Sequence, residues 1–254
     1  MSDGGTEGRL AGKVALVTGG ARGQGAVEGE LFAAQGATVI LADVLDDEGR
    51  TVADSIDGAT YRSLDVRSEE EWETVVSDVM AEHGRLDVLV NNAGVDMAQK
   101  MVDTSLDDFE RLYSINQRGV FLGMRTVARA LIGAEQPGSI INISSVAGLE
   151  GAMNRVAYSS TKWAVTGMTS AAAKELGRYR IRVNSVHPGL IETPMTADQR
   201  PIADPELRAR MERRIPLGRV GQSIDVANLV LFLASDESDY CTGQAFTVDG
   251  GIHA

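Results

Sequence analysis

Tyr158 and Lys162 stand four residues apart, and Ser145 lies thirteen residues upstream of the tyrosine. If the stretch from Met153 to Tyr179 is a helix, the two side chains share a face. A lysine ammonium beside a phenol favours the phenolate and lowers a pKa that starts near 10. A tyrosine tuned in this way can give a proton to a carbonyl oxygen or take one from an alcohol. Ser145 offers a neutral donor to the same oxygen. Asn116, in the helical stretch before that strand, could hold a water or backbone link leading protons outward.

Proton transfer of this kind needs a partner that moves electrons, and a glycine-rich turn near the N-terminus points to one. Thr18-Gly19-Gly20-Ala21-Arg22-Gly23-Gln24-Gly25 follows an apolar run and opens a helix-like stretch. Glycine tolerates positive φ and lets backbone approach a pyrophosphate, and the helix N-terminus directs amide donors and partial positive charge at phosphates. The spelling is not the common G-x-G-x-x-G, since the key glycines fall at 19, 23 and 25. Asp43 closes the second apolar run, where a carboxylate accepts bonds from both adenosine ribose hydroxyls and repels a 2′-phosphate. It therefore predicts NAD(H) as the cofactor, whereas Arg22 pulls toward a phosphorylated ribose. Val44 follows at the same rim. Asp65-Val66 and Asn92-Ala93-Gly94 end the third and fourth strands, the first pair at a height where it could bracket the adenine.

These side chains must be positioned by elements, and the hydropathy pattern supplies them. Strand-like runs at Lys13–Thr18, Thr38–Asp43, Thr60–Asp65, Leu86–Asn91, Ser139–Ser144, Ile181–Val186 and Ala245–Val248 alternate with helix-length patterns. The latter lie at Gln24–Gln35, from Asp46 to about Ile56, and at 68–83, 105–132, 155–179 and 223–234. Strand and helix in this rhythm predict one doubly wound α/β domain with helices on both faces of a parallel sheet. Residues 1–9 read as a flexible polar tail before a domain spanning 10–254. Five of the six prolines fall between Pro188 and Pro216, and a segment so long between strand and helix is more often functional than idle. It is expected to form a substrate lid near 190–216.

Whole-chain properties narrow the function class. A net charge of −12 excludes a phosphate-backbone partner, because nothing concentrates Lys and Arg. Glu69-Glu70-Glu71 read as a solvated face near a helix N-terminus. The lone Cys241 cannot form an internal disulfide and reads as buried filler rather than a metal ligand. No apolar run approaches the roughly 20 residues that span a bilayer. The expectation is a soluble cytoplasmic protein with a small-molecule partner, no nucleic acid, no membrane and no metal.

Taken together, the motifs resemble those of the short-chain dehydrogenase/reductase family: Thr18–Gly25, Asn91–Gly94, Asn116, Ser145, Tyr158–Lys162 and Pro188-Gly189 fall in its order and spacing, from about Leu10 to Gly251. The resemblance implies a Rossmann-type domain with a seven-stranded parallel sheet, often assembled as a homotetramer through the 105–132 and 155–179 helices. It implies Tyr158 as general acid/base, Lys162 lowering its pKa and bonding the nicotinamide ribose, Ser145 orienting the carbonyl and Asn116 supporting a proton relay. Gly19, Arg22, Gly23, Gln24, Gly25 and Asn92 would hold the adenosine and phosphates, and Pro188, Gly189, Ile191 and Thr193 the nicotinamide. Gln24 departs from the aliphatic residue usual at its position.

The stretches Leu41–Asp46 and Arg180–Met195 look like those of bacterial hydroxysteroid dehydrogenases acting at 3α or 20β positions, which makes a secondary alcohol and its ketone the expected substrate pair. A 3-oxoacyl thioester reductase is the alternative enzyme, and a nucleotide-binding regulatory protein the alternative outside enzymes. Met153 and Met195 are expected to line the substrate pocket with Ser145 and Tyr158. Asp96 and Glu150 either favour a hydroxyl-bearing substrate or face water, and His187 reads as a loop histidine.

Overall fold

A computed structural model describes residues 8–197 and 200–253. Most of the tail expected at 1–9 lies outside the described residues, but Arg9 is held: its backbone N–H donates to Gln35 and its guanidinium to Glu237. Strands β1 (Val14–Thr18), β2 (Thr38–Asp43), β3 (Ala59–Ser63), β4 (Val88–Asn91), β5 (Gly138–Ile143) and β6 (Ile181–Pro188) form where β-branched and aliphatic residues run together. A two-residue ribbon pairs β7 (Ile191–Glu192) with β8 (Gly221–Gln222), and β9 (Ala245–Val248) closes the series. The main sheet has seven parallel strands in the order β3-β2-β1-β4-β5-β6-β9. The order reverses at β1, so a crevice opens above the carboxyl ends of β1 and β4, where ligands of doubly wound sheets bind.

Both faces of the sheet are covered. Helices α1 (Gly23–Ala34), α2 (Asp46–Asp54), α3 (Glu69–His83), α4 (Leu106–Leu112), α5 (Val120–Gly133) and α6 (Val156–Leu176) precede α7 (Arg200–Ala203), α8 (Pro205–Glu212) and α9 (Ser223–Ala234). One apolar layer joins Trp72, Val79, Leu131 and Val165 to Leu16, Leu89 and Ile140 of the sheet. The opposite layer joins Phe32, Val226 and Val230 to Ala15, Val17, Val90 and Ile141. Neighbours along β1 and β4 thus point to opposite layers, both dry, which is why these strands read as continuous apolar runs. Burying each large side chain contributes about 1.5–3 kcal/mol.

Three boundaries differ from the sequence expectation for identifiable reasons. Asp65 lies beyond the end of β3, because its amide is taken by the Glu71 carboxylate at 2.7 Å rather than by a neighbouring strand. The expected helix at 105–132 is broken by a π-helical turn, Tyr113–Gly119, between α4 and α5. And α6 starts only at Val156, since Asn154 takes a left-handed turn conformation (φ 60°). The acidic run behaves as expected: Glu69, Glu70 and Glu71 form the first turn of α3, capped by Ser68.

The proline-rich segment runs from the end of β6, through β7, to the approach to β8. Asp204 caps α8 by accepting from Glu206 and Leu207 amides, with Pro205 at the first helical position. Arg208 then fastens α8 to the ribbon through Glu192 at 2.9 Å.

Candidate active site

The carboxyl end of β1 is organised by one hydroxyl. Thr18 Oγ1 accepts from the amides of Asn92 and Ala93, both at 3.1 Å, and donates to Val90 O at 3.3 Å. Asn92 replies through its side chain, donating to Thr18 O at 2.9 Å and Gly19 O at 3.3 Å. The ends of β1 and β4 are thereby locked, and the glycine turn leaves from a fixed point. Gly19 has φ 68°, and a Cβ on Gly25 would lie 2.3 Å from Gly19 O. Only glycine permits this descent into α1. Arg22 stands at the N-cap of α1 with no side-chain cap bond, followed by Gly23 and Gln24.

Asp43 rims the same crevice. Its carboxylate accepts from Ala21 N at 3.1 Å, Val44 N at 2.7 Å and Leu45 N at 3.2 Å, so it ties the glycine turn to the end of β2. Val44 beside it is exposed, as a surface under a planar base would be. The Asp65 carboxylate is paired with Arg67, which holds it below the usual carboxylate range. Val66, next to it, is buried.

The far half of the crevice carries the titratable set. Tyr158 and Lys162 occupy the first turns of α6, and the Lys162 Nζ stands 5.7 Å from the centroid of the tyrosine ring. Lys162 is 4% exposed and donates to Ile143 O at 2.9 Å. Burial pushes its pKa down to about 8, with the Asp96 charge opposing. Burial, aided by Asp96, pushes the Tyr158 phenol up to about 12, against a hydrogen bond from Ser145 and the nearby Arg155 charge. In the chain by itself the phenol is thus held protonated, because Tyr158 and Lys162 both sit where charged forms are poorly solvated.

Ser145 follows β5 and caps a short 3-10 turn, its Oγ accepting from Ala147 N at 3.1 Å. Its backbone carbonyl lies 2.8 Å from the Nδ1 of His187. His187 is therefore no loop residue: it is fully buried in β6. A carbonyl can only accept, so Nδ1 carries the hydrogen and Nε2 accepts from Ser185 Oγ at 2.8 Å. Asn116, in the π turn, spends its amide on structure. It accepts from Val95 N at 2.9 Å and donates to Val95 O at 2.8 Å and Thr161 Oγ1 at 3.3 Å. A Cβ on Gly94 would come within 3.3 Å of Asn116 Oδ1 and 3.7 Å of Lys162 Nζ, so this glycine lets the loop after β4 lie close to both side chains.

Beyond β6, Gly189 N donates to Val248 O at 2.9 Å, and Pro188 ends the strand. Ile191 is buried, and the amide of Thr193 is taken by Thr196 at 2.9 Å. A Cβ on Gly23 would stand 3.5 Å from Pro194, which brings the segment after β7 against the glycine turn. Met195 and Met153 are exposed, at 49% and 89%. Glu150 pairs with His253 from the C-terminal segment at 3.2 Å.

Asp96 neither faces water nor stands alone: it is ion-paired with Arg155. Cys241 is partly exposed rather than buried. Among the described residues there is no cluster of three metal-ligating side chains and no helix long and apolar enough to cross a membrane.

Residues 19–253 match a family model described as enoyl-(acyl carrier protein) reductase. The chain is 45% identical over 253 residues to trans-4-hydroxycyclohexanecarboxylate dehydrogenase of Sinomonas cyclohexanicum, covering 96% of this chain and 93% of that protein. It is 46% identical over 248 residues to the 3-alpha-(or 20-beta)-hydroxysteroid dehydrogenase of Mycobacterium tuberculosis strain H37Rv, covering 97% and 92%. A third relative is the cyclopentanol dehydrogenase of Comamonas testosteroni, 42% identical over 251 residues, covering 97% and 99%.

Proposed function

The chain belongs to the short-chain dehydrogenase/reductase family of oxidoreductases, and on that premise we propose that it interconverts an alicyclic secondary alcohol and its ketone with NAD(H). The three relatives described above are all named for alcohols of this kind: a substituted cyclohexanol, a hydroxysteroid and a cyclopentanol. The observation that carries the reading is the convergence of Ser145, Tyr158 and Lys162 at the end of a crevice whose other end is a glycine cradle. Loss of the proton-transfer residues, which a purely regulatory nucleotide-binding protein would tolerate, has not occurred.

The residues fit a dinucleotide. The close approach at Gly25 and the open N-terminus of α1 suit a pyrophosphate, and Asp43 at the rim suits unphosphorylated ribose hydroxyls. Gly19, Arg22, Gly23, Gln24 and Asn92 would surround the phosphates and adenosine. Val44 and Val66 would flank the adenine, and Ala93, Gly94, Pro188, Gly189, Ile191 and Thr193 the nicotinamide end. When bound, the nicotinamide supplies the site that accepts or releases hydride.

The chain supplies the proton chemistry. Ser145 Oγ donates to the substrate oxygen and fixes it beside the phenol. In ketone reduction Tyr158 gives its proton to that oxygen, a role for which a phenol held protonated by burial is ready. In alcohol oxidation Tyr158 must receive the proton, and Lys162 is the cationic group at hand to favour the phenolate. Asn116 keeps the loop after Gly94 in place. Segment 190–216, with Met195, and Met153 from the opposite rim would close over the substrate.

Exposed Phe109, Phe121 and Trp163 on α4, α5 and α6 suit an association of copies into a homotetramer, and a cytoplasmic location suits the unpaired thiol. The test is turnover with cyclohexanols, cyclopentanol, steroids and 3-oxoacyl thioesters, each with NADH or NADPH and its oxidised form. Alicyclic activity with NAD(H) is expected, and Tyr158→Phe is expected to lower it by about 10²–10⁴ while cofactor affinity holds. A Tyr158→Phe enzyme with unchanged turnover, or activity on thioesters alone, would refute the proposal.

A further inference from the structure

We propose that the Asp96–Arg155 ion pair is a positioning device for Tyr158, holding two opposite charges against the acid–base group so that each partner tunes proton transfer in the opposite direction. The proposal rests on the reading of Tyr158 as that group. Asp96 lies in the loop after β4 with its side chain 7% exposed, and Arg155 is the N-cap residue of α6 at 25%. The Arg155 guanidinium carbon stands 5.9 Å from the centroid of the Tyr158 ring. The pair therefore joins the loop to the helix turn that carries the tyrosine.

Both partners are held in place from behind. Val95, the neighbour of Asp96, is clamped on both its backbone groups by the Asn116 amide. Gln99 N donates to Asn154 O at 2.7 Å, stitching the same loop to the residue before Arg155. Asn116 thus acts on the tyrosine at one remove, by fixing the segment that bears Asp96. A carboxylate so enclosed is not screened by water, so its charge reaches further than a surface charge would.

Among the described residues, the other groups near the ring have different charges or partners. Lys162, on the same helix, is the other cation. Ser145 after β5 is neutral, and His187 of β6 is kept neutral by burial and reaches Ser145 through its carbonyl. Asn116 in the π turn is an amide, and Glu150, past the 3-10 turn, is paired with His253. The electrostatic signs agree with the geometry: Asp96 raises the phenol pKa and Arg155 lowers it. The same carboxylate favours the charged form of Lys162. One residue thus steadies the protonated states of both groups.

The test is the titration of Tyr158 itself, followed by NMR of protein labelled with ¹³C at the tyrosine Cζ and assigned with Tyr158→Phe, alongside the alkaline limb of kcat/KM for ketone reduction, which falls as the phenol loses its proton. Asp96→Asn should move both readouts down by about one pH unit, and Arg155→Met should move both up by a comparable amount. The double variant should return toward wild type, and Asp96→Glu should titrate as wild type does. Shifts in the same direction, or unmoved titrations in both single variants, would overturn the proposal and leave the pair a mechanical brace. Should Arg155→Met fail to fold, the contrast between Asp96→Asn and Asp96→Glu decides alone. The NMR readout needs no turnover, so failure of the functional reading (no activity on any alcohol) and failure of the electrostatic one (unmoved tyrosine titrations) are told apart.

Discussion

Glu28 is an anomaly that sets up a quantitative prediction. It sits on the face of α1 that also buries Gly25, Gly29 and Phe32, is itself 0% exposed, and neither carboxylate oxygen has a hydrogen-bond partner. Burial pushes its pKa from 4.5 up to about 8. The folded chain therefore holds this proton to higher pH than the unfolded chain does, and linkage fixes the sign. The group costs nothing below the unfolded pKa, and stability falls as pH rises from there through the folded pKa. Each pH unit in that window is worth about 1.4 kcal/mol, so the loss is about 3 kcal/mol at neutral pH and about 5 kcal/mol once the folded group ionises. Glu28→Gln keeps the shape and removes the ionisation, at a constant cost for burying an amide. The stability of Glu28→Gln minus that of wild type should therefore rise by about 3 kcal/mol between about pH 4.5 and 7, or about 6–12 °C in Tm. Urea unfolding of both proteins across this range, at one protein concentration because association shifts apparent stability, measures that difference directly. A difference that stays constant with pH, or falls, would refute the account of Glu28 as a protonated acid in a dry layer.

Two further substitutions probe the ends of the crevice. Asp43→Ser removes the like charge that would meet a 2′-phosphate, so the ratio of kcat/KM for NADH over NADPH should fall by about tenfold or more; an unchanged ratio would place cofactor choice elsewhere. His187→Leu strips one donor from the Ser145 carbonyl and leaves the Ser185 hydroxyl only a long bond to Gln244 O at 3.4 Å, which should cost about 1–3 kcal/mol of stability and lower kcat with cofactor affinity kept. His187→Asn, which can still donate, should recover part of kcat, and equal losses in both variants would argue that the ring acts only as packing.

Much of this architecture was legible beforehand because it depends on local repetition. Apolar runs such as Val14–Thr18 and Val88–Asn91 could only be strands of a sheet covered on both faces, and the sheet has the seven parallel strands that the family resemblance implied. Gly19 and Gly25 announced a close backbone approach through residue type alone. Features that depend on distant partners were hidden. Asp65 looked like the last residue of a strand, and nothing in its own neighbourhood showed that its amide is taken by Glu71 and its carboxylate by Arg67. The ion pair of Asp96 with Arg155 spans 59 positions, so no periodicity reveals it. The burial of Tyr158 was hidden for the same reason: the i, i+4 spacing shows the lysine charge but not the enclosure that raises the phenol pKa. Glu28 passed unnoticed because one acid in an amphipathic stretch normally faces water.

The π turn at Tyr113–Gly119 has a consequence for how this helical stretch can change. From Leu106 to Gly133 the backbone never leaves a helical path, yet the wider turn holds a residue that a regular α-helix would not. One residue corresponds to about 100° of azimuth. The turn therefore acts as a phase offset between two rods: α4 can keep Leu106 and Phe109 outward while α5 keeps Leu122, Val127 and Leu131 inward. An alanine scan would report ordinary helical positions on either side. Deleting one residue would instead rotate one rod against the other and withdraw Asn116 from Val95, so the segment tolerates changes of letter far better than changes of length.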